Sequence, residues 1–137
     1  MLSHEAVPVE YQPAPRPPDP AALLSSAERQ SLRFRCMMVR QVVAELLAFA
    51  GYDGTAGRDR RRSVQHIRQI SMYVSHVVLQ IPMQHVAIAF GADRSTVSHA
   101  CRTVEERREN RAYDDFVGAA ERLTASFFLA PGGHPHG

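Results

Sequence analysis

Residues 82–109 read PMQHVAIAFGADRSTVSHACRTVEERRE. Proline at position 82 suits the first position of a helix, where its missing N–H is no loss. Met83, Val86, Ala87 and Phe90 then follow at i, i+3, i+4 and i+7, the spacing of a single helix face. Gly91 stops that helix, because glycine adopts without strain the left-handed conformation that closes a helix end. After Ala92, Asp93 is placed to cap a second helix, whose inner face is Val97, Ala100, Cys101 and Val104. A short helix, a tight turn containing glycine and a second helix make a helix-turn-helix.

The flanking segments also carry helical patterns. Residues 28–50 place Leu32, Met37, Val42, Val43, Leu46 and Leu47 at helical spacing, with Gly51 as a stop. Residues 51–62 hold three glycines and four arginines and read as a loop or a frayed short helix. From Ser63, a good N-cap, the apolar positions Val64, Ile67, Ile70, Val74, Val77 and Ile81 recur every three or four residues as one long amphipathic helix. A last helix over 113–129 turns Phe116, Ala120 and Leu123 inward. No strand alternation appears. The expected fold is therefore all-α, a bundle of about five helices containing a helix-turn-helix. It occupies residues 28–129, between a Pro-rich flexible tail at 1–27 (Pro13, Pro15, Pro17, Pro18, Pro20) and a flexible tail at 130–137. His134 and His136 in that second tail are too few to make a metal site.

Composition narrows the function. A chain of 137 residues with 45% hydrophobic content fits one small globular domain with tails. No apolar run approaches the roughly 20 residues that cross a bilayer, and no secretory signal is visible at the start, so no membrane partner is expected. Cys36 and Cys101 lie within apolar helical patterns, which points to a reduced cytoplasmic setting. All sixteen basic residues are arginine. Without lysine there is neither a P-loop of the Gly-Lys-Ser/Thr type nor a Schiff base. A Cys101–His99 pair fails as a nucleophile and base, because i and i+2 point to different sides of a helix. His66, His76, His85 and His99 lack zinc spacing. No catalytic residue, cofactor, metal or small-molecule substrate is expected.

Net charge is only +2, but residues 58–102 hold seven arginines against Asp59 and Asp93, a local balance of +5. Glu105, Glu106, Glu109, Asp114 and Asp115 lie beyond it. A basic middle in a near-neutral chain suggests a one-sided face for a polyanion. Opposite the apolar stripe of the second motif helix lie Ser95, Ser98, His99 and Arg102, with Arg94 in the first turn. Such a face is polar and slim enough for the major groove of double-stranded DNA, where the Arg94 fork matches the two acceptors of guanine. Ser95 and Thr96 suit a thymine methyl or a phosphate, and Arg102 a phosphate. The Arg60-Arg61-Arg62 run is placed for the minor groove, and Arg68, Gln69 and His76 for phosphates.

The stretch from Arg60 to Glu109 resembles the C-terminal duplex-binding domain of the bacterial chromosomal replication initiator DnaA. The matching text is Arg62-Ser63-Val64, Arg68-Gln69-Ile70 with Met72, Ala89-Phe90-Gly91, Asp93-Arg94-Ser95-Thr96-Val97 and His99-Ala100-Cys101-Arg102. A looser similarity reaches back to the helix before Gly51 and forward to about residue 124. The resemblance implies a minor-groove role for Arg60 and base reading by Asp93, Arg94, Ser95 and Thr96. It implies backbone contacts for Arg68, Gln69 and His99, with His76 where the family usually has lysine. Here the reading run is Asp-Arg-Ser-Thr, where the family typically has Asp-His-Thr-Thr, and the turn before it is one residue shorter. Duplex binding with an altered preferred site is the consequence. The initiator's ATPase module does not precede this domain in the sequence, so ATP-driven origin melting is not expected of it. The expectation is a sequence-specific DNA-binding protein, nucleoid-associated in the cytoplasm, acting by occupancy in transcription or replication initiation beside that machinery. The alternative is an interaction module that keeps the same shape and docks on a protein, using the acidic surface from Glu105 to Asp115 and the Pro-rich tail.

Overall fold

A computed structural model describes residues 10–15, 20–51 and 57–129. A 3-10 turn at Pro20–Leu23 leads into α1 (Ser26–Phe49), followed by α2 (Gly57–Val77), α3 (Met83–Phe90), α4 (Arg94–Arg107) and α5 (Arg111–Phe128). Among the described residues there is no strand, and the fold is the all-α bundle with a helix-turn-helix that the sequence predicts. Residues 1–9 and 16–19 of the N-terminal tail, and all of residues 130–137 with His134 and His136, lie outside the described residues.

Helix ends differ from expectation where capping decides them. The Ser25 side chain accepts a hydrogen bond from the Glu28 amide (3.0 Å), the spacing of a capping box, so α1 begins at Ser26 and not at 28. The preceding 3-10 turn packs on α3, and Leu24 sits half-buried against the core. Asn110 likewise accepts from the Tyr113 amide (3.1 Å) and starts α5 at Arg111. The larger correction is in α2. Its helix starts at Gly57, so Arg60, Arg61 and Arg62 belong to its opening turns, and Ser63 is a buried interior residue, not an N-cap. Arginine is a strong helix former, and no glycine follows Gly57 to interrupt it. Pro82 is the N-cap of α3, one position ahead of the place expected for it.

Helix α2 is the centre of the bundle, with α1 and α4 packed on either side of it. It is enclosed broadly enough that Ile70, Met72, Tyr73 and Val74 are all buried, together with Ser71 and Ser75. The Ser71 hydroxyl satisfies itself by donating to the Ile67 carbonyl one turn back. Val64 and Val77, read as inward, are exposed. On α1 the inner stripe is Leu32, Cys36, Val39 and Val43, so Met37 turns outward and is 66% exposed. On α5 the inner line is Val117, Ala120 and Thr124; Leu123 lies at the surface and Phe116 is half-buried. Each valine fully buried from α1, α2, α3, α4 and α5 contributes roughly 1.5–3 kcal/mol relative to exposure.

Arg108, just past α4, locks three helices together. It pairs with Asp114 and Glu121 (2.8 Å) of α5, donates to the Tyr73 hydroxyl of α2 (3.1 Å) and lies 5.8 Å from the centre of the Tyr73 ring. Burial works against its charge, but the bonds to Asp114, Tyr73 and Glu121 outweigh it and raise its pKa. The acidic segment after α4 is thus partly spent on holding α4 in place.

Candidate nucleic-acid interface

The turn between α3 and α4 is set by two local features. Gly91 takes φ +62°, in the left-handed region, and the Ala92 amide returns to the Ala87 carbonyl (2.9 Å). Asp93 then adopts an extended backbone while its carbonyl receives the Thr96 and Val97 amides (3.0 and 3.2 Å). The Asp93 side chain makes no capping hydrogen bond, contrary to the role its position suggests. Its carboxylate is exposed and uncommitted.

Beyond the turn, α4 divides cleanly. Val97, Ala100, Cys101 and Val104 are buried, as the spacing predicts. Arg94, Ser95, Thr96, His99 and Arg102 are exposed, and Ser98 is half-buried at the edge. Burial, and then the nearby Glu105, push the Cys101 thiol up to about 11, so it stays protonated near neutral pH. It is a core residue and offers no thiolate.

Helix α2 supplies the neighbouring side chains. Arg60, Arg61 and Arg62 are exposed at its N-terminal end, where the helix dipole adds further positive potential. Arg62 and Gln69 line a polar cavity of about 390 Å³ with His66 and with Arg107 from the end of α4. The Arg107 guanidinium donates to His66 Nδ1 (2.9 Å). Burial, then Arg107 and Arg62, hold the His66 pKa below its usual 6.5, which keeps the ring a neutral acceptor. Arg107 was not singled out in the sequence; its closing position on α4 was the only signal. Arg68 is half-buried and reaches the Phe90 carbonyl with one Nη (3.5 Å), which places it beside the Gly91 turn.

His76 stands apart, at the C-terminal end of α2. Its Nδ1 lies 2.8 Å from the Ile81 carbonyl, which makes Nδ1 the donor and pins the α2–α3 connection. That connection bends at Gln80, whose φ is +56°. Only Nε2 of His76 remains for an outside partner, and it donates only when the ring is charged.

The arrangement is a two-helix basic face, with the exposed side of α4 bordered by Arg68 at its start and by Arg62, Gln69 and Arg107 at its end. The family model described as the bacterial dnaA protein helix-turn-helix matches residues 36–104, which run from the middle of α1 nearly to the end of α4. The chain belongs to that family. Among curated relatives, the Chromosomal replication initiator protein DnaA 2 of Chlamydia trachomatis serovar D is 34% identical over 56 residues. The protein of the same name from Chlamydia pneumoniae is 33% identical over 54 residues. These alignments cover 41% and 39% of this chain, and in each case it spans only 12% of the relative's length. No solved structure matches the chain. The DnaA match ends at Val104, short of α5, which the looser resemblance had included.

No helix among the described residues is long and apolar enough to cross a membrane, and none of their His, Cys, Asp and Glu side chains cluster as a metal site would need.

Proposed function

We propose that the chain binds double-stranded DNA sequence-specifically, with the start of α4 in the major groove, and acts by occupying sites that control replication initiation or transcription. The observation that carries this reading is the split of α4. Its buried stripe anchors the helix, while Asp93, Arg94, Ser95 and Thr96 stand exposed at its leading end without a side-chain partner among the described residues. Small hydroxyl side chains let the backbone come close to base edges, and Arg94 supplies the bidentate donor for guanine. Arg60, Arg61 and Arg62 serve the minor groove; Arg68, Gln69, Ser98, His99 and Arg102 serve phosphates, with His76 joining them through Nε2 when charged. The helical unit is flanked by the two tails, and the protein works in the cytoplasm on the nucleoid. It needs no cofactor and performs no catalysis.

Selection from a random duplex library tests the reading. Recovery of one motif supports it; a protein that retains no duplex even in dilute buffer overturns it. A second reading, docking on a protein of the replication or transcription machinery, draws on a different observation. An apolar groove of about 430 Å³ between α1 and α5 is lined by Met38, Leu46, Phe49, Leu123 and Phe127. Phe49 and Phe127 there are 93% and 70% exposed. A partner held in that groove would join DNA binding, not replace it.

A further inference from the structure

We infer that α1 carries a second clamp for the DNA backbone, formed by Arg33 and Arg40 together with Arg68 of α2, and that it holds phosphodiester groups bordering the groove entered by α4. The inference rests on the proposed duplex binding and extends it to a helix that no motif assigns to DNA.

Three observations converge. Arg29, Arg33 and Arg40 fall at i, i+4 and i+11 on α1, within about 40° of one another around the helix, whereas Glu28 and Glu45 fall on other faces. All three arginines are exposed, and Arg33 and Arg40 form no ion pair among the described residues. Arg33 and Arg40 also open onto a cavity of about 390 Å³, closed on its other sides by Arg68 and by the end of α3 at Ala89, Phe90 and Gly91. No carboxylate lines it.

Charge makes the cavity an anion site. Along its lining the negative potential is that of the C-terminal end of α3, where the Phe90 carbonyl takes one Arg68 bond. A helix terminus supplies only about half an elementary charge, so three guanidiniums leave an excess of about 2.5 positive charges. Position makes that anion a backbone phosphate. The cavity ends at Gly91, two residues before Asp93, and in a helix-turn-helix the helix ahead of the reader crosses the phosphate backbone. Seven residues of helix rise about 10 Å, so Arg33 and Arg40 reach separate phosphates.

The test is the double substitution Arg33→Gln/Arg40→Gln in the full chain, read by duplex titration over a range of salt. Because both side chains are exposed, the circular dichroism spectrum and melting temperature should match the wild type. Affinity should fall by the same factor on every sequence, about 30-fold near physiological salt, and the slope of log K against log salt should shrink by about 1.8, for two lost phosphates. The selected motif should not change. If the wild type binds duplex and the double variant keeps its slope and affinity, the clamp is refuted while the reading of α4 stands. If the wild type binds no duplex, the reading itself fails first. Thermal stabilisation by inorganic pyrophosphate that the double variant abolishes, with an unchanged duplex slope, would assign the cavity to a small phosphorylated ligand and overturn the inference.

Discussion

Replacing Arg94 by alanine separates base reading from simple attraction to DNA. Arg94 is the first residue of α4, exposed, and free of any ion pair among the described residues. A cation at a helix N-terminus opposes the dipole by about 0.3–1 kcal/mol, so its removal should leave stability unchanged or slightly raised. The loss should fall on binding. A bidentate arginine–guanine contact discriminates by about 1–3 kcal/mol, which is about 5- to 150-fold at one base pair. The salt slope should barely move, since no phosphate contact is removed. Arg102→Ala should do the reverse, lowering affinity evenly across sequences and cutting the slope by about 0.9. Fluorescence anisotropy with duplexes varied one base pair at a time, at salt from about 50 to 200 mM, reads both quantities. An Arg94→Ala protein that loses affinity equally on all sequences, with a smaller slope, would put Arg94 on a phosphate and not on a base edge.

Other outcomes follow from the fold. Gly91→Ala should cost about 1–2 kcal/mol by chemical denaturation, all of it backbone strain at φ +62°, because an added Cβ meets nothing within 4 Å. A much larger cost would mean a clash that the structure does not contain. Arg108→Ala should cost roughly 2 kcal/mol, since it strips charged hydrogen bonds from Asp114 and Glu121 that are only partly screened by solvent. His66 is held below its usual 6.5, so the unfolded chain takes up its proton first as pH falls. Its contribution to stability is full above that value and declines below it; the wild type should therefore lose more stability than His66→Gln between neutral and acidic pH. With Cys101 pushed up to about 11, thiol reagents at mildly alkaline pH should label it only as fast as the protein unfolds.

The helix-turn-helix was legible because its signals are local. Gly91 demands the left-handed turn, and the buried stripe of α4 repeats at helical spacing without interruption. The start of α2 was not legible, since three glycines within 51–62 argue for a loop while the arginines after Gly57 favour a helix. The inner faces of α1 and α2 were misread for a related reason. Met37, Val64 and Val77 are apolar yet exposed, whereas Ser71 and Ser75 are polar yet buried, because α2 is enclosed by helices on more than one side. The site was read in part. The exposed polar face follows from the wheel of α4, but the pairing of Arg107 with His66, 41 residues away, exists only once α2 and α4 pack. The gathering of Arg33, Arg40 and Arg68 at the Gly91 turn likewise needs α1, α2 and α3 in place.

If the leading end of α4 enters a DNA groove, its backbone amides must respond when duplex is added. Titrating an isotope-labelled sample with its selected duplex and following the backbone amides by NMR tests it most directly. The largest shifts should fall at Arg94, Ser95, Thr96 and His99, with lesser ones at Arg62, Arg68 and Gln69, and almost none along the groove at Phe49 and Phe127. Shifts centred on that apolar groove, with the amides of α4 undisturbed, would contradict it.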